Sequence, residues 1–456
     1  MLEPDFDPVP AAVQIGRCGY QVPCRAPRCA AHRATIVLGR RFVVCAFAIT
    51  LIALAASPVC ATPWVNGDYL ARWVFWGLRH QVSPSDDYKM FPYRTIDNAP
   101  PAYQFPHATA GALPAEVEYK DGDSIKRVAL DELLESTGTH AFIVIKDGKL
   151  LDERYLNGYQ RDSICISRSV AKSFTSALVG IAIDEGFIRS AGDPIINYLP
   201  ELKNRGFDAI TIRNLLTMGS GIRYRISPLP WDEDALYYFY PNLRNLLLSA
   251  VEVAEPPGQT FHYADYNVGL LAIIVERTTH RTVSEYLQEK IWKPIGMEYP
   301  ATWSLDSVQD GFELTHVALN ARAIDYAKFG QLFLGKGNWN GKQIISERWV
   351  TESTTPDPSD HRPWETYPQW ADSGGYYKYF WWGNSRGAGD YSFEAIGRWG
   401  QFIFVAPRAN VVIVRTAGNL GLDIEQWPQV FQYVADFVSH GKQSGAAVRG
   451  PQSAPP

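Results

Sequence analysis

At 456 residues the chain exceeds a single typical domain, so two or three packed units, or one large α/β body with an inserted helical part, are expected. Its 46% hydrophobic and 20% charged residues are an ordinary globular composition, and a formal charge of -5 gives no sign of nucleic acid or anionic lipid as a partner. A small-molecule or peptide substrate remains.

Arg40 and Arg41 precede a mostly apolar run from Phe42 to Ala56, followed by the small residues around Ala61. A basic flank, an apolar centre and a cleavable small-residue site are the order of a signal peptide, and the run is shorter than a comfortable membrane span. Uncleaved, residues 42–56 would serve as an N-terminal membrane anchor. Either way the body is expected to be periplasmic or exported, and the forty residues ahead of Arg40 are long enough to suggest a mis-set start. Residues 1–61 thus read as an N-terminal extension. Cys18, Cys24, Cys29, Cys45 and Cys60 all lie in it, so no disulfide framework spans the body, where Cys165 stands alone. The first three lack paired C-x-x-C spacing and a matching His cluster, and no metal site is expected.

Residues 62–125 are rich in Pro, Asp and aromatics without a sustained period, and read as a wrapping segment with little regular structure. A short helix follows near Leu130 to Leu134. The runs Ala141 to Ile145 and Leu150 to Tyr155 around Asp147-Gly148 predict a β-hairpin. Phe174, Leu178 and Ile181 recur at helical spacing from Ser169 to Ile188, with Gly186 as a stop. Further helices are predicted over Ile212 to Met218, Leu243 to Val253, Tyr266 to Thr279, Val283 to Trp292 and Ala321 to Leu334. Strands are expected over Gln401 to Val405 and Val411 to Thr416, then a helix over Val430 to Val438. Strands at both ends of a helical middle predict an α/β (α+β) fold over residues 126–440, an antiparallel sheet flanked by helices with a mostly helical insertion at about 190–335. Residues 441–456 read as a disordered tail.

The chemistry centres on Ser169-Val170-Ala171-Lys172. A serine hydroxyl needs a base, and a lysine three residues later lies one helical turn on, along the same face. The start of a helix adds free N–H groups and a positive partial charge that would stabilise an oxyanion at Ser169. Spacing alone is weak, since Ser439-His440-Gly441-Lys442 repeats it at the end of a helix, without that frame. An ordinary helix cap with a solvated lysine is the bland alternative.

The run Ser169 to Ser176, continuing from Leu178 to Gly186, resembles the nucleophile helix of the serine β-lactamase-like hydrolases, within them the 6-aminohexanoate dimer hydrolase and class C β-lactamase-related branch. Asp193 to Leu202 and Ile212 to Gly221 resemble two further runs of that family, and the similarity extends from about Thr139 to Val438. The resemblance implies a β-lactamase/transpeptidase-like fold, an acyl-enzyme on Ser169, Lys172 as base and no cofactor. Its Tyr-x-Asn element falls on Tyr263-Ala264-Asp265, which makes Tyr263 the relay tyrosine. Asp265 in place of Asn is a departure that removes an amide donor; Asn267 could substitute. The family's Lys-Thr-Gly strand is absent, and Ala395 to Gln401 stands in its place. Gly397 matches that strand's glycine, so the oxyanion donors would be the N–H groups of Ser169 and Arg398. Loss of the Lys that holds the acidic group of a β-lactam points to ester or linear amide substrates and weak or no β-lactamase activity. Tyr224, Trp231 and Tyr238 lie where relatives shape the substrate pocket.

Two rivals stand beside this reading. Gly383 to Gly387 is a literal G-x-S-x-G, with Asp390 or Asp423 and His440 following in order, but a nucleophile elbow requires a strand before it and a helix after. From another class, a penicillin-recognising fold could bind cell-wall peptide or a partner without turnover. The nine histidines lack zinc-site spacing.

Overall fold

The computed structural model describes residues 64–80, 84–109, 111–371, 374–387 and 389–440. The expected leader or anchor, the five cysteines ahead of Cys165, and the tail from residue 441, Lys442 included, lie outside the described residues.

Seven antiparallel strands form the main sheet: β1 (Thr139–Lys146), β2 (Lys149–Tyr155), β3 (Gly375–Lys378), β4 (Trp381–Gly387), β5 (Asp390–Gly397), β6 (Gln401–Ala406) and β7 (Val411–Ala417). Their spatial order is β3-β4-β5-β6-β7-β1-β2, so the two ends of the chain meet at the β7–β1 pairing. In β6 and β7 every residue is buried. Burial along their whole length, rather than alternation, follows from helices on both faces.

Helix α1 (Ala171–Asp184) carries Lys172, and α2 (Tyr266–Thr279) packs against it. Helix α3 (Ala323–Leu334) covers one face of the sheet at Gly330, where a Cβ would come within 2.6 Å of Val412 and 2.8 Å of Ile403. Helix α4 (Gln426–His440) covers the other, setting Phe431 against Phe402 and Phe404 at ring separations of 5.2 and 5.6 Å. The mixed helix and antiparallel sheet fold agrees with the expectation. The predicted hairpin is β1–β2, turned by Asp147 and Gly148 at φ 53° and 70°.

Two local readings are corrected. Residues 62–125 hold regular structure: a helix Gly67–His80, a 3₁₀ turn Pro84–Met90, a strand Tyr93–Ile96 and a hairpin Glu116–Asp121/Ser124–Ala129. The helix buries Tyr69 and Leu70, with Tyr69 against Tyr240, while the hairpin is tied to α4 by Lys120 N–H donating to Gln429 Oε1 at 2.9 Å. The helix and the strand take partners far along the chain, at Tyr240 and Ala301–Ser304, so no local periodicity announces them, whereas the hairpin closes on itself around Gly122-Asp123, a local signal that the sequence reading passed over. The helix expected from Ser169 begins at Ala171, after a 3₁₀ turn Arg168–Val170. The rival G-x-S-x-G fails as expected: Gly383 to Gly387 lies inside β4 and leads into β5, so Ser385 occupies a strand with no helix after it and forms no elbow.

Candidate active site

A second, four-stranded sheet delivers the chain to Ser169: Tyr93–Ile96, Ala301–Ser304, Leu319–Ala321 and Cys165–Ile166, in that order. Ser167 fastens this approach, its hydroxyl donating to Val317 O at 3.0 Å and accepting from Leu319 N–H at 3.1 Å. Arg168 then adopts φ 47°, in the left-handed region that disfavours a side chain. What holds it there is a buried ion pair. The Arg168 guanidinium, 3% exposed, reaches Asp87 Oδ2 at 2.8 Å, and the Tyr238 hydroxyl lies 3.0 Å from both partners. Asp87 comes from the 3₁₀ turn of the N-terminal segment.

Ser169 is 7% exposed and Lys172 is 1% exposed. Lys172 Nζ lies 2.6 Å from Ser169 Oγ, 2.9 Å from Asp265 Oδ1 and 3.2 Å from the carbonyl of His316. The same Nζ sits over the Tyr263 ring, 4.9 Å from its centroid. Ser169, Lys172, Tyr263 and Asp265, read from separate parts of the sequence, are therefore brought together. Asp265 occupies the residue before α2 and gives Lys172 a carboxylate partner where an amide was expected to face a substrate. The His316 imidazole is held well below its usual range by burial, with the Lys172 and Arg168 cations acting the same way, and so stays neutral.

Strand β5 closes the opposite side. A Cβ on Gly397 would lie 2.5 Å from Ser167 O and 3.0 Å from Ser169 N, so only glycine lets this strand end rest against the backbone of Ser169. Arg398 follows in a turn with Trp399 and Gly400, both at positive φ. Its guanidinium lies over the Trp399 ring at 5.8 Å. Gln401 pins the strand after the turn by pairing its side-chain amide with both backbone groups of Ala417.

The remaining expected site residues have other company. Asn267 is buried, accepts from Ser220 Oγ at 2.7 Å and donates to Met218 Sδ at 3.2 Å, so its amide fixes the loop before Gly221. Tyr224 is buried with its hydroxyl donating to Asp234 at 3.0 Å. Trp231 is half-buried on the loop, its carbonyl accepting from Arg225. Tyr238 belongs to the Arg168 clamp. Sequence reasoning missed Asp87, Arg168 and His316, none of which carries a motif.

The family model described as Beta-lactamase matches residues 129–429. A 6-aminohexanoate-dimer hydrolase of Paenarthrobacter ureafaciens is 29% identical over 355 residues, 73% of this chain and 83% of that protein. A solved structure described as "Putative 6-aminohexanoate-dimer hydrolase from Bacillus anthracis" superposes with a TM-score of 0.65 at 26% identity, over 83% of this chain and 95% of the other. A penicillin binding protein from Bacillus halodurans shares the fold, with a TM-score of 0.52 at 17% identity over 68% of this chain and all 100% of its own.

Proposed function

Because the chain belongs to the Beta-lactamase family, we propose that it is a serine hydrolase that opens esters or linear amides through an acyl-enzyme on Ser169. The observation that carries the proposal is the 2.6 Å approach of Lys172 Nζ to Ser169 Oγ. Ser169 Oγ attacks the carbonyl carbon as its proton passes to the Lys172 amine, where Asp265 balances the ammonium that forms. The backbone N–H groups of Ser169 and Arg398 receive the developing oxyanion, with Gly397 keeping the strand close enough for that role. The leaving group departs with a proton relayed by Lys172 and Tyr263, and water returns the same sequence to release the acid. No step calls for a cofactor.

The relative acting on a 6-aminohexanoate dimer favours linear amides, and the missing Lys-Thr-Gly argues against efficient β-lactam hydrolysis. Export through residues 42–56, with or without retention as an anchor, is part of the same proposal. An activated fluorophosphonate is expected to label the wild type and not Ser169→Ala; a folded wild type that stays unlabelled would refute the proposal and favour a non-catalytic binding protein. Short p-nitrophenyl esters are expected to turn over much faster than nitrocefin, and comparable rates would remove the argument from the missing lysine.

A further inference from the structure

The face of the sheet beside Tyr263 is an aromatic wall. Trp382 stacks on Tyr263 at 6.0 Å, and Tyr377 of β3 meets Tyr263 edge-on at 6.2 Å, Phe261 at 5.0 Å and Trp382 at 4.6 Å. Its neighbours Tyr376 and Tyr379 each donate their hydroxyls, to Thr354 O and to Glu352. The Tyr377 hydroxyl, on a side chain only 4% exposed, has no hydrogen-bond partner among the described residues. A buried donor without an acceptor destabilises a fold, and phenylalanine would fill the same space without that cost. A hydroxyl kept at such a position, in ring contact with the relay tyrosine, needs a reason in the reaction.

We propose that Tyr377 is a positioning residue for the Tyr263 relay, its hydroxyl donating a hydrogen bond to the Tyr263 oxygen when that oxygen has given up its proton. This rests on the serine-hydrolase reading above. No bond to hydrogen breaks at Tyr377; it holds charge on Tyr263 while the proton is in transit between Ser169, Lys172 and the leaving group. Burial, with Tyr263, Asp265 and Tyr367 acting the same way, holds the Tyr377 phenol well above the usual range, so it remains a donor across working pH.

The test is Tyr377→Phe in the full chain, alone and combined with Tyr263→Phe. The expected result is a fall in kcat of about tenfold with KM within about twofold, and a Tm equal to the wild type's or higher by about 1–2 °C. In the Tyr263→Phe background the second substitution is expected to have no further effect on kcat. An unchanged kcat in Tyr377→Phe, or the same fall in both backgrounds, would overturn the proposal while leaving Ser169 labelling intact. Absence of Ser169 labelling in the wild type would instead remove the reading on which the proposal stands.

Discussion

Asp265 changes the character of the amine that faces Ser169. An asparagine there would offer an amide to substrate, whereas the carboxylate at 2.9 Å commits itself to Lys172. Replacing Asp265 with Asn removes the buried counter-charge beside Lys172, so kcat/KM and Tm are both expected to fall. Wild-type kcat/KM in Asp265→Asn would show that the carboxylate plays no part in the reaction. Gly397 offers a steric test. A methyl group there must displace the backbone of Ser167 to Ser169, so Gly397→Ala is expected to lower kcat by about 10²-fold or more with the fold retained by circular dichroism. Full activity would mean that the strand end plays no part in holding the oxyanion.

Among the elements, those with strong local periodicity were legible in sequence. Helix α2 spans Tyr266 to Thr279 as expected, and the β1–β2 hairpin follows from Asp147-Gly148, which accept left-handed backbone. Ser169 and Lys172 stand in a locally patterned run, whereas Tyr263 is reached only through the family resemblance of Tyr263-Ala264-Asp265. Apart from the local hairpin at Gly122-Asp123, what could not be read depends on contacts across the chain. The 3₁₀ turn Arg168–Val170 replaces a first helical turn because Arg168 is drawn to Asp87, a pairing across 81 positions with no periodic signature. Asp87→Ala leaves that guanidinium buried without its carboxylate and is expected to lower stability by about 3–5 kcal/mol in denaturant unfolding. It is also expected to lower kcat, since the left-handed Arg168 sets the direction in which Ser169 enters the site. A loss under about 1 kcal/mol would mean that the pair merely fills space.

At the level of the whole molecule, two buried ionisable side chains stand within the main sheet. Arg415 on β7 donates to Thr137, Thr139, Gly400 and Asn419, and its guanidinium lies 3.8 Å above the Trp427 ring of α4. It thereby joins the turn after Gly397 to the strand entering β1 and to the covering helix. Glu394 on β5 is fully buried with Asn384 donating to it at 2.9 Å, and burial pushes its carboxyl up to about 8. It folds as the neutral acid. Since 8 is above its ordinary value of 4.5, its contribution is fully present below pH 4.5 and is lost as pH rises toward 8. Glu394→Gln is therefore expected to flatten the fall in Tm between pH 5 and pH 9, and parallel curves for the two proteins would show that Glu394 is already ionised in the folded state.

The Arg168 clamp also bears on the order in which the molecule is made. The family match begins at residue 129, and a chain started there keeps Ser169, Lys172, Tyr263 and Asp265 while losing Asp87. In vectorial synthesis the Asp87 carboxylate leaves the ribosome before Arg168, and Tyr238, the third member of the clamp, follows both. A circular permutant that moves residues 62–125 to the C-terminus would hold every side chain of the site yet acquire Asp87 last, and its activity should appear only when that final segment has docked.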